Sequence, residues 1–194
     1  MSLKLKIITG STRPGRMGPI VANWVAEAAA KHAGFDAELV DIADLNLPLL
    51  DEPNHPAAQQ YEHEHTKKWS AIIDDADAFI FVTPEYDSFP SAALVNALQL
   101  LVKEWAYKPA GTVSYGGISG GLRSAQELRQ LIGNLNMVAL NGVVPVPFHW
   151  EKIEDGKLVA NEPMEQGLAG MLDELVKWGE TLKPMHSADV AAAA

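Results

Sequence analysis

The sequence predicts one α/β domain, a parallel five-stranded sheet covered by helices on both faces, on three observations. Five short apolar runs of strand length are spread over the 194 residues, longer segments with helical apolar spacing separate them, and glycine-rich loops follow the first and fourth runs. Strands that alternate with helices require right-handed crossovers, which put helices on both faces of a mostly parallel sheet.

The strand runs are Leu3 to Thr9, Ala37 to Ile42, Ala78 to Thr83, Gly111 to Tyr115 and Met137 to Val146. Between them Ile20, Val21, Trp24, Val25 and Ala28 recur at helical spacing. So do Leu94, Val95, Leu98, Leu101, Val102 and Trp105, read as one helix, and Leu128, Leu131, Ile132 and Leu135. A last helix is expected from Met164 to Leu182, carried by Leu168, Met171, Leu172, Leu175 and Val176 and stopped by Pro184. The domain then spans 1–186, and 187–194 has nothing to bury and reads as a frayed tail. Pro48 to Pro56 and Val143 to Gly156 break the rhythm and read as surface excursions.

Composition narrows the chemistry. Hydrophobic residues at 47% and charged residues at 21% suit a globular chain that folds alone. The formal charge of -10 argues against a duplex nucleic-acid partner, whose phosphates need clustered Lys and Arg. With no cysteine, disulfides, zinc–thiolate sites, thiol nucleophiles and cysteine-held iron–sulfur clusters are excluded. Redox chemistry would need a bound cofactor. The N-terminal stretch runs straight into a strand without a signal peptide's apolar core, and no apolar run approaches the ~20 residues of a membrane helix. No membrane insertion is expected, and the cytoplasm is the expected compartment.

The first strand opens into Gly10-Ser-Thr-Arg-Pro-Gly-Arg-Met-Gly-Pro19, which leads directly into a helix. That arrangement aims free backbone N–H groups and the positive end of a helix dipole at an anion. Ser11 and Thr12 add hydroxyl donors, and Arg13 and Arg16 add guanidinium forks that suit a phosphate. A nucleoside-triphosphate loop is disfavoured: Gly10 and Gly15 have its spacing, but Arg16 and Met17 stand where Lys and Ser/Thr are required. No Gly-x-Gly-x-x-Gly occurs in the loop, which disfavours a dinucleotide pyrophosphate. A phosphomonoester fits best.

The third strand is followed by Thr83-Pro-Glu-Tyr-Asp-Ser-Phe-Pro90 and the fourth by Ser114-Tyr-Gly-Gly-Ile-Ser-Gly-Gly121. Ligands of doubly wound sheets sit beyond the C-terminal strand ends, so all three loops are expected at one edge. The second offers stiff backbone and an aromatic side chain, and the third offers glycines that let amides approach a flat ring.

On these residues the chain resembles the NADPH-dependent FMN reductase family. The resemblance rests on Gly10 to Arg16, Thr83 to Tyr86 with Pro90, Glu104-Trp105 with Lys108-Pro109, and Val113 to Gly117 with Gly120 to Arg123. It implies a flavodoxin-like three-layer α/β/α sandwich with a parallel sheet in the order 2-1-3-4-5. It also implies FMN as cofactor, NADPH or NADH as co-substrate, and a small-molecule acceptor such as a quinone, free flavin, an azo dye or a metal ion. By the same resemblance Ser11, Thr12, Arg13, Arg16, Met17 and Gly18 hold the phosphate. Pro84, Glu85, Tyr86 and Asp87 border the isoalloxazine ring, Ser114, Tyr115, Gly116 and Gly117 meet its pyrimidine side, and the chain forms a homodimer or homotetramer. Many relatives carry Asn where this chain has Asp87. A carboxylate there accepts but cannot donate a hydrogen bond, and would disfavour negative charge on a reduced ring.

Other readings stand beside this one. A non-enzymatic electron carrier shares fold and cofactor, and its acidic surface would suit a basic partner. A binding module would hold no flavin at all. Gly117-Ile-Ser119-Gly-Gly121 matches a nucleophile elbow, which would make Ser119 a hydrolase serine served by Asp155 or Asp173 and His186. His63 and His65 with Glu62 and Glu64 read as a solvated face, because alternate helical residues point apart. Trp24, Trp69, Trp105 and Trp178 read as packing, with Trp105 and Tyr107 also open to a subunit interface. Trp150, beside His149, has no assigned role.

Overall fold

The computed structural model describes residues 2–193, with side chains described as far as His186. Five parallel strands form the sheet: β1 (Leu3–Thr9), β2 (Phe35–Asp41), β3 (Ala78–Pro84), β4 (Pro109–Gly116) and β5 (Val138–Pro147). Their order is β2-β1-β3-β4-β5, the order expected. The crossovers hold α1 (Gly18–Ala29), the short α2 (Ile42–Leu45) with α3 (Glu64–Asp74), α4 (Ala92–Gln99) and α5 (Leu122–Asn134), and α6 (Glu162–Ala193) closes the chain.

Side-chain alternation along the central strands feeds two separate cores. Leu5, Ile7, Ile80 and Val82 pack beside Val21, Val25, Leu168 and Leu172 of α1 and α6. Ile8, Phe79 and Phe81 point the other way, into a cluster with Trp69, Leu94, Leu98 and Leu128 of α3, α4 and α5. Burial on both faces explains why these strands read as unbroken apolar runs. Each large buried side chain contributes roughly 1.5–3 kcal/mol.

Four expectations need correction. The stripe from Leu94 to Trp105 is not one helix: α4 ends at Gln99 and a 3₁₀ turn follows at Lys103–Trp105, with Val102 at φ -132 between them. The break lets the Trp105 ring enter the core, 5.0 Å from Phe79 and 5.9 Å from Trp69. Trp105 is fully buried and its indole N–H donates to the Leu98 carbonyl at 3.1 Å, so it serves packing and is no interface residue. Second, Val143 to Pro147 belong to β5. This strand lies at the sheet edge, where Pro145 and Pro147 cost no ladder bond in a central strand. The rest of that excursion is a 3₁₀ turn and a two-stranded hairpin, β6 (Ile153–Glu154) and β7 (Lys157–Leu158). Asp155 and Gly156 turn it with φ 47 and 76, the two-residue Asp-Gly signature.

Third, Pro184 does not stop the last helix, which carries it internally. Contacts on both sides of the proline hold the helix down: Lys183 pairs with Asp77 at 2.8 Å and His186 meets the Ala106 carbonyl at 2.9 Å. The expectation of a frayed tail falls on 187–194, whose side chains lie outside the described residues. Fourth, His63 sits before α3 as its cap rather than within it, so the His63 and His65 rings stack at 5.2 Å instead of pointing apart. Both face Asp51, with His65 Nε2 3.0 Å from its Oδ1. No helix among the described residues is long and apolar enough to cross a membrane.

Candidate active site

The loops after β1, β3 and β4 meet at the C-terminal edge of the sheet, as the parallel topology requires. The first is tied to the third by the Tyr115 hydroxyl, which donates to Ser11 Oγ at 3.1 Å with both side chains buried. Burial raises the Tyr115 hydroxyl above its ordinary pKa and keeps it a neutral donor. Gly18 closes the same corner, since a Cβ there would come within 2.8 Å of the Tyr115 hydroxyl and closer still to Ser11 Oγ. Only glycine lets α1 begin so near the strand ends.

This packing leaves a ring of backbone donors. Among the described residues the amides of Thr12, Arg13, Met17 and Gly18 find no protein acceptor, and Met17 caps α1 without a side-chain hydrogen bond. Thr9 Oγ1 beneath them is buried and equally unpartnered. Donors at a helix N-terminus with nothing to bind fit a phosphate.

The two arginines separate in role. Arg13 is exposed and lies over the Tyr86 ring, 5.9 Å from its centroid, which joins the first loop to the second through a cation–π contact. Arg16 turns back into the protein, where its Nη1 donates to the Ser11 carbonyl and to Asp41 Oδ1, each at 2.7 Å. The Asp41 hydrogen bond raises the Arg16 pKa against the cost of burial. Arg16 therefore braces the loop. Thr12 stands at the exposed tip and helps to line a cavity of about 340 Å³ with Ile42, Asn46 and Ala93.

In the second loop Pro84 ends β3 and its carbonyl accepts from Ser124 Oγ at 2.8 Å. Glu85 does not face open solvent as a free ligand. Its carboxylate accepts from Ser119 Oγ at 2.9 Å, from the Arg123 amide at 3.1 Å and from Arg123 Nη1 at 2.9 Å. Burial raises its pKa, but these donors outweigh burial and leave the carboxyl below its usual range. Tyr86 and Phe89 exchange two backbone bonds at 2.9 Å around Asp87 and Ser88, which have φ 50 and 69. Asp87 is thus the exposed first corner of a type I′ turn, a position that favours Asn, Asp and Gly.

The third loop is shaped from inside. Ser114 Oγ donates to the Gly120 carbonyl at 2.9 Å, and Gly121 opens α5 at φ 86, where a Cβ would strike Tyr115 N at 2.7 Å. Gly117 is open, and a Cβ on it would meet only the Trp150 ring at 3.9 Å. The segment after β5 also enters the site. His149 Nδ1 lies 3.2 Å from the Gly116 carbonyl, the Phe148 amide donates to the Gly117 carbonyl at 3.1 Å, and the His149 ring stands edge-on to Tyr115 at 5.1 Å. Trp150 is 52% exposed beside them. Sequence reasoning missed this fourth loop, although the rule that sites lie beyond strand ends already pointed to the residues after Pro147.

The hydrolase reading fails on geometry. Ser119 Oγ is a donor to Glu85, Asp173 pairs with His32 at 3.1 Å, and His186 faces the Ala106 carbonyl at the opposite end of β4. Among the described residues no group of three or more His, Asp or Glu could hold a metal.

Residues 3–151 match the family described as NADPH-dependent FMN reductase. The NAD(P)H-dependent FMN reductase C4B3.06c of Schizosaccharomyces pombe is 43% identical over 136 residues, covering 69% of this chain and 68% of its own. The NAD(P)H-dependent FMN reductase LOT6 of Saccharomyces cerevisiae is 32% identical, covering 88% and 97% respectively. Among solved structures FerB, a flavoenzyme NAD(P)H:(acceptor) oxidoreductase from Paracoccus denitrificans, superposes with a TM-score of 0.68 over 93% of this chain and 98% of its own, at 20% identity. With a flavodoxin-like sheet and family matches over most of its length, the chain belongs to the NADPH-dependent FMN reductase family and is an NAD(P)H-linked, FMN-dependent oxidoreductase.

Proposed function

We propose that FMN is held non-covalently with its phosphate on the amides of Thr12, Arg13, Met17 and Gly18, and that Arg13 supplies the charge. The ring lies against Tyr86 and the Gly116–Gly117 backbone, while Pro84, Glu85, Asp87, Ser114 and Tyr115 shape the loops around it. The observation that carries this reading is the set of unfilled amides at the start of α1, locked in place by the Ser11–Tyr115 hydrogen bond. Ser11 and Arg16 contribute by fixing the loop, through side-chain bonds to Tyr115 and Asp41.

Held there, FMN would supply hydride transfer from NAD(P)H and two-electron reduction of a second substrate. With a quinone the balance is NAD(P)H, one proton and quinone giving NAD(P)+ and hydroquinone. No side chain of the site has to form a bond to substrate. The residues bind, orient and exclude water. We assign the acceptor to planar aromatic compounds, because Phe148 and Trp150 expose apolar ring surface beside the glycine loop and Phe89 exposes its ring on the turn after β3. A relative from Burkholderia, named 2-hydroxy-1,4-benzoquinone reductase and 28% identical over 193 residues, supports that class. The homodimer or homotetramer implied by the resemblance is part of the same proposal. Ile118, 79% exposed next to Trp150's neighbours, supports a second copy covering this rim.

The test is the visible spectrum of the purified protein, before and after added FMN, followed by NAD(P)H oxidation with a benzoquinone. A flavin band and rapid quinone-dependent NAD(P)H oxidation are expected. Protein that stays colourless and retains no added FMN overturns the reading, and a flavin band without NAD(P)H oxidation favours the electron carrier. Light scattering behind size exclusion decides the oligomeric state.

A further inference from the structure

The glycine loop after β4 contains a peptide unit that little holds from within. Gly116 ends β4 in register with Pro147, but a Cβ on Gly117 would meet only the Trp150 ring at 3.9 Å, so beyond the strand end the peptide between them is held only by what reaches it from outside the loop. The fixing groups come from the segment after β5. Nδ1 of His149 lies 3.2 Å from the Gly116 carbonyl oxygen, and because a carbonyl only accepts, Nδ1 carries the proton. One residue further, the Gly117 carbonyl accepts from the Phe148 amide at 3.1 Å and from the Gly120 amide at 3.0 Å. Phe148 presents that amide from a left-handed backbone, φ 47.

The N–H of a trans peptide points opposite to its C=O. With the Gly116 and Gly117 carbonyls drawn to residues 148–149 and within the turn, the Gly117 and Ile118 amides are directed to the opposite side. There, among the described residues, neither finds a protein acceptor. Two successive unfilled amides on one side of a flat loop match the carbonyl oxygens and ring nitrogens along one edge of a flavin.

We infer that His149 is a positioning residue for the cofactor ring: its Nδ1–H locks the Gly116–Gly117 peptide with the amide turned into the ring site. The inference rests on the FMN reading above. The imidazole is itself held by edge contacts with Tyr115 and Trp150, both at 5.1 Å, so its donor is pre-aimed. Burial lowers its pKa, the Gly116 hydrogen bond opposes burial, and nearby Arg13 adds to the lowering, which together keep the ring neutral near pH 7. Nδ1–H donates in the neutral and the charged form alike, so the lock does not depend on pH.

The experiment compares wild type, His149→Asn and His149→Ala as apoprotein, with FMN affinity from fluorescence quenching and the midpoint potential of bound FMN. Asparagine places an amide nitrogen close to the Nδ1 position, whereas alanine removes the donor. The Ala variant is expected to bind FMN about tenfold more weakly, the equivalent of one lost hydrogen bond, with a lower midpoint because donors favour the electron-rich reduced ring. The Asn variant is expected to restore both. His149→Gln, whose amide sits one methylene further out, is expected to behave like Ala, and serves in its place if Ala does not fold. Wild-type protein that binds no FMN overturns the functional reading and this inference with it. Wild type that binds FMN while Ala and Gln match it in affinity and potential overturns the inference alone. So does an Asn variant as impaired as Ala, or a loss of thermal stability without a change in potential.

Discussion

Arg16 reaches from the loop after β1 to Asp41 at the end of β2, 2.7 Å from Nη1 to Oδ1, while the same nitrogen donates to the Ser11 carbonyl. Asp41 also caps α2 by accepting from the Ala43 amide at 3.0 Å. One carboxylate therefore sets the distance between the loop after β1 and the outer strand. Arg16→Ala is expected to lower unfolding stability by about 1.5–3 kcal/mol, the range for a hydrogen bond to a charged group. Arg13→Ala, at an exposed side chain, is expected to leave stability unchanged and weaken FMN binding. Denaturant unfolding of both variants, with FMN titration, checks the division; equal stability losses would contradict it.

Lys108 is buried against Phe79 and donates from Nζ to the carbonyls of Ile73 at 2.8 Å and Asp74 at 3.0 Å, which end α3. Burial lowers its pKa from 10.5 to about 8, against the pull of Asp74. The folded amine then loses its proton near pH 8, while the unfolded one keeps it until about 10.4. Between these values the unfolded state binds more protons, so this group makes stability rise with pH over that window and adds no slope below it. The difference in melting temperature between wild type and Lys108→Met, measured from pH 7 to 10, is expected to grow in favour of wild type above pH 8. A flat difference would show that the amine titrates normally.

Asp87 occupies a turn corner that Asn fills equally well, so Asp87→Asn tests charge with the backbone kept. We expect a higher midpoint potential of bound FMN or tighter FMN binding, since a negative charge leaves the rim of the site. Potentiometry and a binding isotherm decide; no change, or a downward shift in either quantity, counts against a role for the carboxylate.

Ser119 donates to Glu85 and, among the described residues, has no histidine partner, so Ser119→Ala is expected to keep NAD(P)H-dependent quinone reduction and to lose about 1 kcal/mol of stability from the missing hydrogen bond. Ester hydrolysis by wild type that vanishes in the variant would restore the nucleophile reading.

The sequence by itself determined the sheet, the helices on both its faces and the position of the glycine loop after β1. These follow from local rules: apolar runs of strand length, helical stripes between them, and a glycine loop between strand and helix. Gly18 and Gly121 were legible as loop glycines, but the Cβ clashes that demand them were not: at Gly18 one comes from Tyr115, distant in sequence, and at Gly121 they come from the Ser114–Tyr115 turn folding back. The tertiary structure alone decided which polar groups of these loops are paired within the protein and which are left open. Arg13 and Arg16 look alike three residues apart, and only the arrival of Asp41 from β2 separates them. Glu85 reads as a site carboxylate until Ser119 and Arg123 are placed against it, and His149 has no assigned role until β5 sets it beside Gly116. Hydrogen-bond partners over such separations are chosen by strand order and register, which no local pattern encodes. The strand-to-helix loop was therefore visible in the sequence, while the aim of its backbone donors was set by the other loops folding onto it.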